Sequence, residues 1–141
     1  MRRITCWTLV LLAGLFGFSE SVETDNGTLE FTVDQGDLVV DHLHYSGSCD
    51  LTFSSSVRVE ADTVDVMEYV DEVGTCCICY YDFRTVVEGL APGAYLVRVW
   101  DGSSMTYLGG AEVVIEGESA SRGAAGEVLY TYSDSGCYTD Y

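Results

Sequence analysis

The sequence predicts an all-β protein, an antiparallel β-sandwich of about seven or eight strands. Segments that alternate apolar and polar residues recur along most of the chain, each the length of a short strand. Turn-forming residues separate these segments, and the chain has 15 glycines but a single proline. No segment shows sustained helical periodicity. Together these observations favour strands joined by tight turns.

The first residues, MRRITCWTLVLLAGLFGFSES, have the pattern of a secretory signal peptide. Arg2 and Arg3 precede an apolar run that is too short for a comfortable membrane span, and small residues allow cleavage after Ser19. We expect residues 1–19 to be removed and residues 20–27 to form an N-terminal linker. The mature protein is then secreted, either periplasmic or extracellular, with no insertion into the membrane.

The predicted sandwich covers residues 28–117. TLEFTV and LVVDHLHY flank the turn residues DQGD, which predicts one hairpin, and SVRVEADTVDVMEYV predicts a second around Ala61 and Asp62. The segment from Cys76 to Val87 alternates as a strand, and YLVRVW and TYLGGAEVVIEG complete the series. We expect residues 118–141 to form a linker and a tyrosine-rich tail that Cys137 ties to the sandwich.

The charge of the chain argues against a nucleic-acid partner. It has 23 acidic residues, six arginines and no lysine, with a formal net charge of -17. A nucleic-acid partner requires a basic surface that this chain lacks. The simplest interpretation is a solvated acidic surface. Weak calcium binding is the alternative, although no stretch has the alternating carboxylates and central glycine of a calcium loop.

Motifs for catalysis are missing from the sequence. There is no Gly-x-Ser-x-Gly elbow, no phosphate loop, no helix-borne metal motif and no papain-type cysteine environment. We therefore expect that the protein is not an enzyme.

The segment VVEGLAPGAYLVRVW resembles the strand, turn and strand signature of prealbumin-like sandwiches, such as carboxypeptidase regulatory-like domains. The combination of HLHYSGSC, CCICYYDF and GLAPGAYLVRV is similar to small secreted bacterial proteins of unknown function, over roughly residues 38–116. The resemblance implies a prealbumin-like or immunoglobulin-like sandwich and no particular activity.

Five cysteines remain after the predicted cleavage. In an oxidising compartment the default for such cysteines is disulfide formation. Our hypothesis is that Cys49 pairs with Cys77 or Cys79, which the motif places near the start of facing strands. Cys76 points to the opposite face and is expected to reach Cys137.

Metal binding is the alternative use of these residues. His42 and His44 on one strand face, opposite Cys77 and Cys79, would give a plausible tetrahedral set for zinc or copper. Secretion favours disulfides over this site, so no cofactor is expected in the main interpretation.

Alternation also places Tyr80, Leu96 and Trp100 on outward faces. These residues form a candidate binding face for an extracellular protein or a glycan, which the tyrosine-rich tail is expected to cover in part. The sequence therefore predicts a secreted, non-enzymatic binding or structural module stapled by disulfides.

Overall fold

The computed structural model describes residues 19–74, 77–117 and 128–139, and these residues form nine strands and no helix. The predicted β-sandwich is therefore confirmed, with nine strands in place of seven or eight. The strands are β1 (Ser19–Thr24), β2 (Gly27–Asp34), β3 (Asp37–Ser48), β4 (Thr52–Glu60), β5 (Thr63–Asp71), β6 (Ile78–Glu88), β7 (Gly93–Asp101), β8 (Thr106–Ile115) and β9 (Leu129–Asp134).

The strands divide into two sheets. The first, in the order β1-β2-β3-β6-β9, is antiparallel throughout, and the second has the order β4-β5-β7-β8. In the second sheet β5 and β7 run parallel, unlike the fully antiparallel arrangement that the sequence predicts. The reason is that β6 belongs to the first sheet. The chain crosses to that sheet after β5, reverses along β6, and reverses again into β7, so β7 runs in the direction of β5.

Both predicted hairpins are present. The β2–β3 turn consists of Gln35 and Gly36, both with positive φ, and Asp34 pairs with Asp37 across it. The β4–β5 turn is centred on Ala61, whose φ is 52°, and Asp62. Local turn chemistry was thus a reliable signal for these two connections.

The main core lies between the sheets and is mostly aliphatic. On the second hairpin, Val64 and Val66 of β5 are fully buried, whereas Val57 and Val59 of β4 are partly buried at the sheet edge. The buried residues of this core are Leu29, Phe31, Leu38, Val40, Val64, Val66, Val87, Tyr95, Val97, Val99, Ala111, Val113 and Ile115.

A second, aromatic core lies toward the other end of β6. Phe53 of β4 stacks on Phe83 of β6 with ring centroids 4.1 Å apart and planes 3° from parallel. Tyr81 and Cys79 are buried beside them on the same face of β6. This face is the one that the alternation of CCICYYDF predicts. Tyr45 and Val70, which pack against this aromatic core, also line a cleft between the sheets.

Both ends of the described chain belong to the sandwich. Residues 20–27, expected as a linker, instead contain most of β1, which pairs with β2 from Ser19 to Thr24. The expectation was wrong because the acidic and hydroxyl residues of β1 sit at an edge, where alternation is weak. β9 pairs with β6 at the opposite edge.

The signal-peptide prediction falls mainly on residues 1–18, which lie outside the described residues, and its last residue, Ser19, begins β1. Within the described ranges, no helix has the length and apolar character needed to cross a membrane.

Candidate functional site: an acidic cleft between the sheets

A cleft of about 590 Å³ opens between the two sheets at one end of the sandwich. Its walls come from the β1–β2 turn, the middle of β3, the end of β5 and the β7–β8 connection. The residues that line it are Glu23, Thr24, Asp25, Asn26, His42, Tyr45, Glu68, Val70, Asp101, Ser103, Thr106, Tyr107 and Leu108. The cleft is therefore large enough for an amino-acid side chain or a small ligand, and its lining is both acidic and aromatic.

A β-bulge in β3 shapes the floor of the cleft. The pairing of β3 with β6 shifts between His42 and Tyr45, and His44 has a φ of 57°. The extra residue breaks the alternation, so Tyr45 takes the next inward position in place of His44. The backbone N–H of His44 donates to the carboxylate of Asp82 at 2.9 Å, which satisfies the bulged backbone.

His42 and Glu68 form a buried pair that joins the two sheets. Nδ1 of His42 on β3 lies 2.8 Å from a carboxylate oxygen of Glu68 on β5, and Nε2 lies 2.8 Å from the backbone carbonyl of Asn26. The two side chains are 2% and 5% exposed. Since a carbonyl oxygen can only accept a hydrogen bond, Nε2 carries a proton and donates a hydrogen bond to the backbone carbonyl of Asn26.

The partners of the ring favour its charged form. When Glu68 is a carboxylate it also can only accept, so both ring nitrogens donate and His42 is an imidazolium ion. Burial alone would lower the pKa of His42. The hydrogen bond and negative charge of Glu68, together with the carbonyl of Asn26, outweigh burial and raise this pKa above its ordinary value. The pair therefore contributes little net charge to the cleft.

Asn26 fixes the β1–β2 turn against β3. Its side chain accepts from the backbone N–H of Ser46 at 2.8 Å and donates to the carbonyl of the same residue at 3.0 Å. Gly27 follows with a φ of 106°, and a Cβ there would lie 2.3 Å from the carbonyl oxygen of Leu43. The turn thus requires glycine at this position, and it places Asp25 at the rim of the cleft.

The opposite rim is the β7–β8 connection. Asp101 accepts hydrogen bonds from the backbone N–H groups of Ser103 and Ser104, at 2.8 and 3.1 Å. Partial burial would raise the pKa of Asp101, but the hydrogen bonds outweigh it and hold this pKa below its ordinary value. Asp101 is therefore a carboxylate at neutral pH.

The electrostatic field of the cleft is negative. Burial raises the pKa of the Tyr45 phenol, and the negative charges of Glu72, Asp101 and Glu68 raise it further. Among the described residues, no arginine lines the cleft. The three arginines in the described part of the chain are paired elsewhere, Arg58 with Glu60, Arg84 with Asp41 and Arg98 with Asp65.

The cysteines are brought together at a different place, near the start of β6. Cys49 is bonded to Cys77, which is one of the two partners that our hypothesis allowed. Cys137 is bonded to Cys79, so its expected pairing with Cys76 is wrong. β9 pairs edge to edge with β6, and the bridge between Tyr80 and Tyr138 continues this pairing, which brings Cys137 alongside Cys79. Cys76 itself lies outside the described residues.

The predicted metal set of His42, His44, Cys77 and Cys79 is not assembled. His42 is buried with both ring nitrogens hydrogen-bonded, while His44 is exposed on the far side of the bulge, with its ring 6.3 Å from that of Tyr138. Both cysteines are in disulfides. The bulge is the reason, because it removes the shared face that a regular strand would give the two histidines.

The candidate binding face is divided between the sheets. Tyr80 lies on β6 in the first sheet, where it pairs with Tyr138 of the tail, and the tail therefore covers part of it. Leu96 and Trp100 lie on β7 in the second sheet, so the three residues do not form one surface. Trp100 donates its indole N–H to Asp65 at 2.9 Å and packs against Tyr107, with centroids 5.2 Å apart.

The cleft was not predicted from the sequence. Most of its carboxylates come from strand ends and turns that are distant in the chain, in a sequence where acidic residues are everywhere. One signal was available. Glu68 takes an inward position in the alternating segment TVDVMEYV, and a carboxylate predicted to be buried requires a partner.

Comparisons with known proteins give no match to this chain, whether among family models, curated protein sequences or solved structures. The resemblances drawn from its motifs therefore stay predictions.

Proposed function

We propose that this protein is a secreted, non-enzymatic binding module that holds a positively charged group in the cleft between its sheets. The two disulfides and the sandwich supply a rigid frame, as an extracellular module requires. The occupant that we favour is a lysine or arginine side chain of an extracellular protein.

The observation that carries this proposal is the charge imbalance of the cleft. Glu23, Asp25 and Asp101 line it, and within the described ranges none of them contacts an arginine or a histidine. The carboxylate of Glu68 is already balanced by His42. A cation that enters the cleft therefore gains attraction without displacing a positively charged partner.

The rest of the lining suits the stem of a basic side chain. Tyr45 and Tyr107 offer aromatic faces, on which a guanidinium or ammonium group is stabilised. Val70 and Leu108 add apolar surface for the methylene groups. A glycan would use the tyrosines and the carboxylates as hydrogen-bond acceptors, but it would draw nothing from the negative field.

The same geometry supports a role without catalysis. His42 is the histidine in the cleft, and both of its ring nitrogens are held by Glu68 and Asn26. It could act as a general base only after that pair had been broken. A cleft with fixed carboxylates and an occupied histidine fits binding better than proton transfer.

The test is a titration of the oxidised full chain, observed by the NMR shifts of backbone amides. The probes are a tripeptide Gly-Arg-Gly, the same peptide with neutral citrulline in place of arginine, and a neutral hexasaccharide. We expect the arginine peptide to shift amides of the β1–β2 turn and the β7–β8 connection, with an affinity that falls as salt rises. Binding of the citrulline peptide with equal affinity, or of the hexasaccharide alone, would overturn the proposal.

A matched pair of variants separates the cleft from the acidic surface in general. Asp25→Asn removes one charge from the turn at the cleft, and Asp62→Asn removes one from the β4–β5 turn at the other end of β5. We expect Asp25→Asn to weaken the arginine peptide by roughly ten-fold, about 1.4 kcal/mol, and Asp62→Asn to have little effect. Equal losses would show that the peptide responds only to net charge.

A further inference from the structure

Two disulfides of this protein meet in a single cluster of four sulfur atoms. Cys49 comes from the β3–β4 connection, Cys77 and Cys79 from the start of β6, and Cys137 from the tail. The bridges touch, because the sulfur of Cys79 lies 2.9 Å from that of Cys49. Three separate segments of the chain therefore converge on one point.

These sulfurs lie close enough together to become ligands of one metal ion once the disulfides are reduced. The sulfurs of Cys49, Cys79 and Cys137 all lie within 4.8 Å of one another, and that of Cys77 is bonded to Cys49. Tetrahedral zinc with Zn–S bonds of about 2.3 Å holds its four sulfurs roughly 3.8 Å apart. Reduction breaks the two S–S bonds, and each pair of sulfurs would then have to move apart to reach that spacing.

We propose that the reduced chain, before its disulfides have closed, binds one zinc ion through Cys49, Cys77, Cys79 and Cys137. The four thiols lose four protons as four Zn–S bonds form, and no electron is transferred. This set differs from one built on the histidines, since neither His42 nor His44 belongs to the sulfur cluster. It is also independent of the proposed binding of a basic group in the cleft.

The local structure supports this site. Cys77 and Cys137 are exposed, which gives an ion a path into the cluster, whereas Cys79 is 2% exposed and anchors it in the aromatic core. Cys77 and Cys79 are two residues apart at the start of β6, where alternate residues share a face. Zinc would hold the same three segments that the disulfides hold, so the reduced chain would keep the tail in place.

The test uses the full mature chain, fully reduced with a phosphine and freed of metal, with Co²⁺ as a spectroscopic probe and Zn²⁺ as competitor. We expect one ion per chain by native mass spectrometry, thiolate-to-cobalt charge-transfer absorption, and loss of this absorption when zinc is added. We also expect the oxidised chain to bind neither ion. A reduced chain that binds no zinc, or an oxidised chain that binds as well, would overturn the proposal.

Single serine variants identify the ligands. Cys49→Ser, Cys77→Ser, Cys79→Ser and Cys137→Ser should each weaken zinc binding by at least ten-fold, and should lower the intensity of the cobalt charge-transfer bands. Cys76→Ser is the matched control and should leave binding unchanged. An equal loss in Cys76→Ser, or a loss in His42→Ala with none in the four serine variants, would refute this ligand set. Circular dichroism of each reduced variant establishes that the β-structure is retained.

Discussion

Replacement of Glu68 by glutamine should destabilise the protein in a manner that depends on pH. The side chain pairs with His42 across the two sheets at 2.8 Å, and both residues are buried. Glutamine has almost the same shape as glutamate but carries no charge. The variant Glu68→Gln therefore removes the electrostatic part of the contact with little change in packing.

The expected size of the effect follows from the hydrogen bonds that remain in the variant. A glutamine N–H can still donate to Nδ1 of neutral His42 while Nε2 continues to donate to Asn26. The cost of Glu68→Gln is then the difference between a charge-assisted and a neutral hydrogen bond, roughly 1–2 kcal/mol. Glu68→Ala leaves the histidine without this partner and should cost about 3–5 kcal/mol.

The direction of the pH dependence follows from the pKa of His42, which Glu68 and Asn26 raise above its ordinary value. A raised pKa in the folded state stabilises the fold fully below the ordinary histidine pKa, and this contribution is lost as pH rises through the raised value. In Glu68→Gln, burial is no longer opposed by a carboxylate, and the pKa of His42 should fall. The difference in stability between the natural protein and Glu68→Gln should therefore be largest at low pH and should shrink as pH rises.

Urea denaturation at several values between about pH 5 and about pH 8 measures this difference. The control is Glu112→Gln, which removes an exposed carboxylate from the outer face of β8 and should change stability by less than about 0.5 kcal/mol at every pH. The reasoning is refuted if the cost of Glu68→Gln is the same at both ends of the range, or equals that of the control.

Three other substitutions test the frame by urea denaturation. Cys137→Ser breaks the bridge to Cys79, which spans a sequence separation of 58, and should cost about 4 kcal/mol by chain entropy; a loss below about 1 kcal/mol contradicts this. Gly110→Ala places a Cβ 2.3 Å from the carbonyl oxygen of Val97 and should cost roughly 1–3 kcal/mol; an unchanged midpoint would show that β8 shifts freely. Phe53→Ala removes a stacked ring from the aromatic core and should cost about 3–5 kcal/mol, whereas a cost under about 1 kcal/mol would mean that this core does not carry stability.

Local patterns were sufficient for the hairpins and for the buried face of β6. In both cases the signal is a short-range property, either a turn with a suitable residue such as Gly36 or the alternation of neighbouring side chains. β1 gave no such signal, since its side chains are mostly exposed at the edge of a sheet. The partner that defines an edge strand comes from elsewhere in the chain.

The disulfides, too, could be predicted from the sequence only in part. Compartment and composition predicted disulfides, and facing strands limited Cys49 to two partners. The choice of Cys79 as partner of Cys137 depended on the pairing of β9 with β6, which no local pattern in the tail specifies. One strand register therefore decided both the second bridge and the contact between the two bridges.

The sequence by itself determined that this chain is an acidic β-sandwich with cysteines available for disulfides. Alternation and turn residues are signals from a few neighbouring positions, and composition can be counted without knowing the fold. Only the tertiary structure decided where its chemistry lies. The bulge at His44 turned one histidine inward and the other outward, and the packing of β3 against β5 paired His42 with Glu68. The folding of distant turns toward each other left Asp25 and Asp101 on opposite rims of one cleft. Such contacts depend on register and on the meeting of two sheets, which are properties of the whole fold.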